Sequence, residues 1–374
     1  MVTPECLYVH IPFCSGKCRY CDFTSIKHDE SVSSRYVDAL RNELRLRASG
    51  KLRTLYVGGG TPTVLSAKAI SRLFASVYEF TTLEDGAEVT CEANPGTLTE
   101  EKAEALADCG VTRLSLGVQS FDDGLLKFLG RTHNADEARH ALSLAGQMPV
   151  DVSLDLIYGV PGQSIDTWRD TLDEAISFNP AHVSAYELTP EDGTPLMESL
   201  KAKEIAMPHD EEVLEMFHAG RELLAKNGFE HYEISNHARE GKRSRHNVNY
   251  WQRGEYLGVG VSAHSFVGEE RTANNKFVFE YLNLLGEGIL PIDETTELTP
   301  EDAKREYVFL GLRLLEGLSL SEARERFGLE LEKPASKLIE DGMMELEDGR
   351  LRLSGRGLEI ANTTVSNLLE ALGF

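Results

Sequence analysis

The 374-residue sequence predicts an α/β protein, a parallel sheet followed by a small winged-helix-like C-terminal domain. Short β-branched and apolar runs alternate with amphipathic helical stretches up to about residue 228. Cysteines, glycines and isolated charged residues collect just after the apolar runs. From Thr299 onward, helical stretches lead into a hairpin pattern turning at Asp348 and Gly349.

The apolar runs are CLYVHI, RTLYVGG, AEVTCEA, TRLSLGV, VSLDLIYGV and AHVSAYEL, compositions that suit a buried pleated surface. Helices are predicted between them at about Ser31 to Arg47, Ser66 to Tyr78, Thr99 to Asp108, Asn134 to Ala145 and Ser164 to Ser177, with a further one at Asp210 to Lys226. Ser, Thr, Asn or Asp stands at each start, where its side chain satisfies free backbone N–H groups. Six βα units in succession imply a parallel sheet. Strand count alone does not separate an open doubly wound sheet from a closed or partial barrel. Either way chemistry belongs at the C-terminal strand ends, where Cys14, Gly58 to Thr61, Glu92, Asn94 and Gln119 fall.

The repeat stops near residue 228. Residues 229–298, dense in His, Asn, Tyr and Gly, are expected to form loops and short strands over the barrel mouth. Residues 299–374 then read as helices followed by a hairpin, the winged-helix-like pattern. Such domains often bind DNA, but acidic residues outnumber basic ones in this segment. The whole chain carries a net charge of −23 at pH 7, which argues against phosphate backbones and anionic membranes as partners. Hydrophobic residues at 41% and charged residues at 26% describe a globular protein. The N-terminus shows neither signal peptide nor spanning helix, so a cytoplasmic protein is expected.

Six cysteines in a reducing compartment direct attention to their spacing. Cys14, Cys18 and Cys21 form C-x3-C-x2-C on a loop after the first strand, whereas Cys6, Cys91 and Cys109 stand alone. Three thiolates suit an iron-sulfur cluster that keeps one iron without a protein ligand. Structural zinc would need a fourth ligand, His10 or His28. An open iron can chelate an amino and a carboxylate group, so this spacing points to radical S-adenosylmethionine chemistry on a [4Fe-4S] cluster. Gly58, Gly59 and Gly60 let backbone approach a ligand closely. Glu92, Gln119, Arg131 and Asp155 sit at or beyond strand ends, where a buried charge is costly unless paired or bound.

These residues resemble a known family. YVHIPFC-x3-C-x2-C, GGGTPT, EANPG, SLGVQSF and DLIYGVP are similar to oxygen-independent coproporphyrinogen III dehydrogenase and its relatives. The resemblance implies a partial (β/α)6 barrel with Tyr8 and Tyr20 lining the cluster and cofactor. It also implies that Gly59, Gly60 and Thr61, with Glu92, Gln119, Arg131 and Asp155, contact S-adenosylmethionine. Two departures stand out: Phe23 occupies the place of an additional cysteine in the dehydrogenases, and their N-terminal extension is not expected here. Both look like the HemW branch of haem chaperones, as does the HNxxYW motif His246-Asn-Val-Asn-Tyr-Trp251.

By that resemblance the chain binds haem and delivers it to respiratory haemoproteins, meeting membranes only through such partners. His246 is the expected haem ligand, set on a surface loop beside Tyr250 and Trp251, with His231, His237 and His264 as competitors. The plain alternative for HNVNYW is a packed segment with its aromatic rings in the core. Competing activities are oxidative decarboxylation of coproporphyrinogen III, which Phe23 counts against, and radical methyl transfer during anaerobic haem breakdown.

Overall fold

The computed structural model describes residues 4–374. Six strands, β1 (Cys6–Ile11), β2 (Lys51–Gly59), β3 (Thr82–Ala93), β4 (Arg113–Gln119), β5 (Asp151–Tyr158) and β6 (His182–Glu187), coincide with the six apolar runs. Each pairs parallel with the next. The crossovers carry α1 (Glu30–Arg47), α2 (Ala67–Phe80), α3 (Glu100–Asp108), α4 (Asp123–Leu129), α5 (Ala135–Ala145) and α6 (Ile165–Ser177). Four of the expected caps form, with Ser66, Thr99, Asn134 and Ser164 each accepting a backbone N–H; the first helix is capped by Asp29 in place of Ser31, and His209 in place of Asp210 stands at the N-cap of the helix before residue 228. After β6 follow α7 (Pro195–Lys201) and α8 (Asp210–Lys226).

Side-chain alternation along the strands divides the sheet into two chemistries. Leu55, Val57, Val89, Cys91, Leu114, Leu116, Leu154 and Leu156 face the helices and form the main core. The opposite face carries Tyr56, Glu92, Ser115, Asp155 and Ser184, which look into a cavity. A closed eight-stranded barrel fills its interior with branched apolar side chains. Here the interior is polar and open to a ligand.

Residues 229–298 are placed differently from the expectation. Instead of covering the mouth, they widen the sheet with β7 (Glu230–Glu233), β8 (Asn236–Ala238) and β9 (Leu257–Val259). The order is β9-β1-β2-β3-β4-β5-β6-β8-β7, with β9 parallel to β1 and β8 antiparallel to β6. The nine strands form an open mixed sheet whose central six make the partial barrel. The HNxxYW motif is not a surface loop but a helix, α9 (Arg245–Trp251). It packs at the N-terminal ends of the strands: Arg245 and His246 donate backbone N–H to Glu88 at 2.9 and 3.0 Å, and Arg245 also reaches the Gly86 carbonyl at 2.7 Å. Helix α9 therefore floors the barrel.

After α10 (Val278–Gly286), the C-terminal part contains α11 (Pro300–Gly311), α12 (Leu320–Phe327) and α13 (Glu332–Glu340). Strands Leu318–Ser319, Arg350–Leu353 and Met344–Glu347 form its small antiparallel sheet. The hairpin turns at Asp348 and Gly349, whose φ angles of 50° and 71° match the type I′ pattern. Val308, Leu312, Leu331, Ala335, Leu351 and Leu368 give this part a core of its own. No helix among the described residues is long and apolar enough to cross a membrane.

Leu116 is fully buried at the centre of the main core. Leu116→Ala is expected to destabilise the protein by about 2–5 kcal/mol, read as a lower midpoint in urea denaturation. A loss below about 1 kcal/mol would mean that the sheet is not packed as described.

Candidate cluster and cofactor site

The cysteine loop leaves the end of β1 and is pinned at its base. Phe13 and Cys14 pair in parallel with Ile26 and Lys27, and the His28 N–H donates to the Cys14 carbonyl at 2.9 Å. Farther out, the Arg19 N–H bonds the Leu129 carbonyl at 3.0 Å and the Arg19 carbonyl accepts from Leu196 N–H at 2.9 Å. Cys14, Cys18 and Cys21 all line the cavity, whose volume is about 450 Å³. Among the described residues no group of three His, Cys, Asp or Glu side chains converges on one metal ion. Three thiols spread around a cavity instead suit a cluster, in which each binds a different iron. Neither zinc candidate turns toward them: His10 joins Tyr8 Oη and the Thr24 carbonyl, both at 2.9 Å, and His28 joins Ser33 Oγ at 3.2 Å. Cys91 packs into the core and Cys109 caps α3.

Glycine is required beside the loop. Gly59 has φ 111°, and a Cβ there would lie 2.5 Å from the His10 ring. At Gly60 a Cβ would meet the Phe13 carbonyl oxygen at 2.6 Å and Cys14 Sγ at 3.0 Å. Their backbone N–H groups serve Glu92 and the Ile11 carbonyl, at 3.0 and 2.8 Å. Thr61 sets its hydroxyl 3.7 Å from Cys14 Sγ. Glu92 also accepts from Tyr56 Oη at 2.7 Å, and burial pushes its carboxyl up to about 7.

Across the cavity, Arg131 is aimed by the end of α4. Gly130 adopts φ 73° and the Arg131 N–H returns to the Leu126 carbonyl at 2.9 Å, a C-terminal cap that turns the chain inward. Its guanidinium donates to the Gly117 carbonyl at 2.6 Å and lies 3.4 Å from both Cys18 Sγ and Tyr20 Oη. Its buried Nε has no partner among the described residues. Gln119 holds a left-handed φ of 68° where the β4–β5 register shifts. That conformation is costly for a non-glycine residue. Asp155 accepts from Ser115 Oγ at 3.2 Å, and burial raises its pKa against those hydrogen bonds.

Of the expected cofactor residues, the cavity wall brings together Tyr20, Gly59, Gly60, Thr61, Glu92, Gln119, Arg131 and Asp155. Tyr8 is not on that wall; it acts behind it through His10. His246 is also off the wall. It is buried on α9, with Nδ1 joined to Thr54 Oγ1 at 2.7 Å and Nε2 to Tyr250 Oη at 2.8 Å. Burial and the Arg53 charge push its pKa down to about 3. Tyr250 packs edge-on against Tyr256 and Trp251 lies under Arg313, both rings half-buried. Half-buried His231 and buried His237 stack on each other 4.1 Å apart, while His264 is exposed. Sequence reasoning missed Tyr56, Arg113, Ser153, His182 and Ser184 on the wall. Counting in twos back from Gly58, Asp155 or Gly117 would have reached Tyr56, Ser153 and Arg113.

The sequence profile of the Radical SAM superfamily matches residues 8–175, and that of the HemN C-terminal domain matches residues 298–360. The heme chaperone HemW of Lactococcus lactis is 33% identical over 98% of this chain and 97% of its own length. HemW of Mycobacterium tuberculosis is 36% identical over 98% of this chain and 95% of its own. The chain belongs to the HemW family. Its radical SAM domain carries a [4Fe-4S] cluster and S-adenosylmethionine as family cofactors. Coproporphyrinogen III oxidase (HemN) of Escherichia coli superposes with a TM-score of 0.84, covering 99% of this chain and 90% of that one at 24% identity. That likeness shows the fold that the HemW chain shares.

Two outcomes are expected from this site. Cys14→Ala, Cys18→Ala and Cys21→Ala should each abolish the roughly four irons per chain of reconstituted protein, whereas Cys91→Ala should keep them. Iron analysis with the 400 nm-region absorbance decides, and loss confined to Cys91→Ala overturns the assignment. Glu92, with its folded pKa raised to about 7, releases a proton on unfolding as pH rises from the ordinary carboxylate range toward neutrality. Its burial therefore lowers stability across that window and fully above it. Ligand-free Glu92→Gln should melt above wild type at about pH 8 and lose that advantage at about pH 4. An advantage independent of pH would show that Glu92 is not protonated in the folded state.

Proposed function

We propose that this chain is a haem chaperone: it binds haem and passes it to respiratory haemoproteins, with the cluster and S-adenosylmethionine bound beside the transfer site. The observation that carries this reading is full-length similarity to HemW proteins, which the curated relatives' names describe as heme chaperones. HemN shares the fold, but Phe23, 60% exposed on the cavity wall, stands where the dehydrogenases have a further cysteine.

In this reading Cys14, Cys18 and Cys21 hold the cluster. The bound cluster supplies one electron to the sulfonium of S-adenosylmethionine. Glu92 and the Gly59–Gly60 backbone receive that ligand's polar groups, with Thr61 beside them. Arg131 and Asp155 face it from the other wall and Gln119 closes the strand end above. Tyr20 steadies the Arg131 guanidinium, and Tyr8 holds His10 against Gly59. With both ring nitrogens engaged, His246 meets haem iron only if α9 releases it. His264 is the exposed histidine of the same region and needs no such opening.

Anaerobically reconstituted protein should bind about one haem per chain in a Soret titration. Given S-adenosylmethionine and coproporphyrinogen III, it should form no protoporphyrinogen IX. Multiple turnovers to that product would establish the dehydrogenase reading instead. In the same titration His246→Ala and His264→Ala separate the two candidate ligands, and His246→Ala should also lower the melting temperature because it strands Thr54 and Tyr250.

A further inference from the structure

Below the contacts assigned above, the cavity continues toward the N-terminal strand ends, and one charged side chain there is still without a counterion. Arg113, the first residue of β4, is 5% exposed and lies on the cavity wall with Ser153, His182 and Asn247. Its Nη2 donates to Ser153 Oγ at 3.1 Å and its Nη1 to the Lys242 carbonyl at 3.3 Å, both neutral acceptors. Among the described residues no carboxylate oxygen forms an ion pair with it inside 4.0 Å. Arg253, equally buried, pairs with Glu306, and the partly buried Arg47 pairs with Glu43, both at 2.9 Å, whereas Arg131 at the cluster end has no carboxylate partner among the described residues either.

The surroundings do not supply the missing charge. His182 pairs its Nδ1 with Ser153 Oγ and its Nε2 with Tyr232 Oη, both at 2.9 Å, and burial beside Arg113 keeps it neutral. Asp155 lies in the field of both Arg113 and Arg131 but spends its oxygens on serine hydroxyls. A guanidinium removed from water without an anion is costly. It also offers the fork geometry that takes a carboxylate through two parallel hydrogen bonds. Arg113 lies four residues before Gly117, the residue that Arg131 grips, or roughly 13 Å along the strand. The floor is thus separate from the cluster end. Tyr56 and Tyr186 add aromatic surface to the same cavity wall.

We propose that Arg113 is a carboxylate anchor that receives one propionate of the porphyrin this chain carries. The assignment rests on the haem-chaperone reading and adds to it the group that is recognised and the residue that recognises it. Haem and haem dimethyl ester, which lacks the free carboxylates, are titrated into anaerobically reconstituted wild type, Arg113→Gln and Arg113→Lys, following the Soret band. Iron content and S-adenosylmethionine affinity are measured on the same samples. Wild type should prefer haem over the ester by about tenfold or more, the scale of one charge-assisted pair. Arg113→Gln should lose that preference by losing haem affinity, Arg113→Lys should retain part of it, and cofactor affinity should stay unchanged.

A wild type that binds haem and its ester equally overturns the anchor while leaving the chaperone reading intact, whether or not the variants fold. So does an Arg113→Gln protein that keeps the preference, or one that loses S-adenosylmethionine affinity in place of haem affinity. A wild type that binds no haem overturns the chaperone reading and the anchor together.

Discussion

A buried carboxylate with no cation beside it organises the cluster end of this molecule. Glu92 receives Tyr56 Oη on one oxygen and the Gly59 N–H on the other, tying β2 to β3 where the cavity begins. The arrangement explains the glycine run in physical terms. A Cβ at Gly58 would lie 2.8 Å from the Glu92 carboxyl carbon, and one at Gly59 would strike the His10 ring. His10 in turn holds the Thr24 carbonyl, which ends the cysteine loop. One carboxylate, two glycines and one histidine thus link the strand ends to the loop that carries the thiols.

Everything below that layer follows from the two-residue period of the strands. Apolar side chains meet the helices, and the other face turns polar groups inward, so the interior cannot close on itself as a packed barrel does. A polar interior needs a floor, and α9 provides it. His246 is the residue that seats this helix, through Thr54 on β2 and Tyr250 one turn farther along. The HNVNYW segment in this fold is therefore a structural closure of the site. Any direct part it plays in holding haem is coupled to movement of the floor.

Local signals made most of the fold legible. The six strands and their capped helices fall where β-branched runs and Ser, Thr, Asn or Asp caps place them. The Asp348-Gly349 turn marks its hairpin for a reason of backbone geometry. The cysteine spacing, Glu92, Gln119, Arg131 and Asp155 were legible as chemistry out of place in an apolar context. What escaped depends on contacts distant in sequence. The HNVNYW segment lacks an extended periodic pattern, and its helix is fixed by Glu88, Thr54 and Tyr250 rather than by propensity. Arg113 and His182 looked like ordinary strand-start residues, since only the assembled sheet shows which face they take. The short strands β7, β8 and β9 join the sheet through pairing partners far back in the chain.

Fold alone does not separate a porphyrin carrier from a porphyrin-modifying enzyme, because both are built on the same partial barrel with the same C-terminal domain. Carriage implies release of the unchanged ligand, and that is the property to measure. Haem-loaded, reconstituted protein is mixed anaerobically with an apo-haemoprotein such as apomyoglobin, and the Soret spectrum is followed after the two are separated. The account predicts that haem leaves this chain chemically unaltered and appears in the acceptor. Haem that stays bound, or a porphyrin recovered with altered side chains, would contradict it.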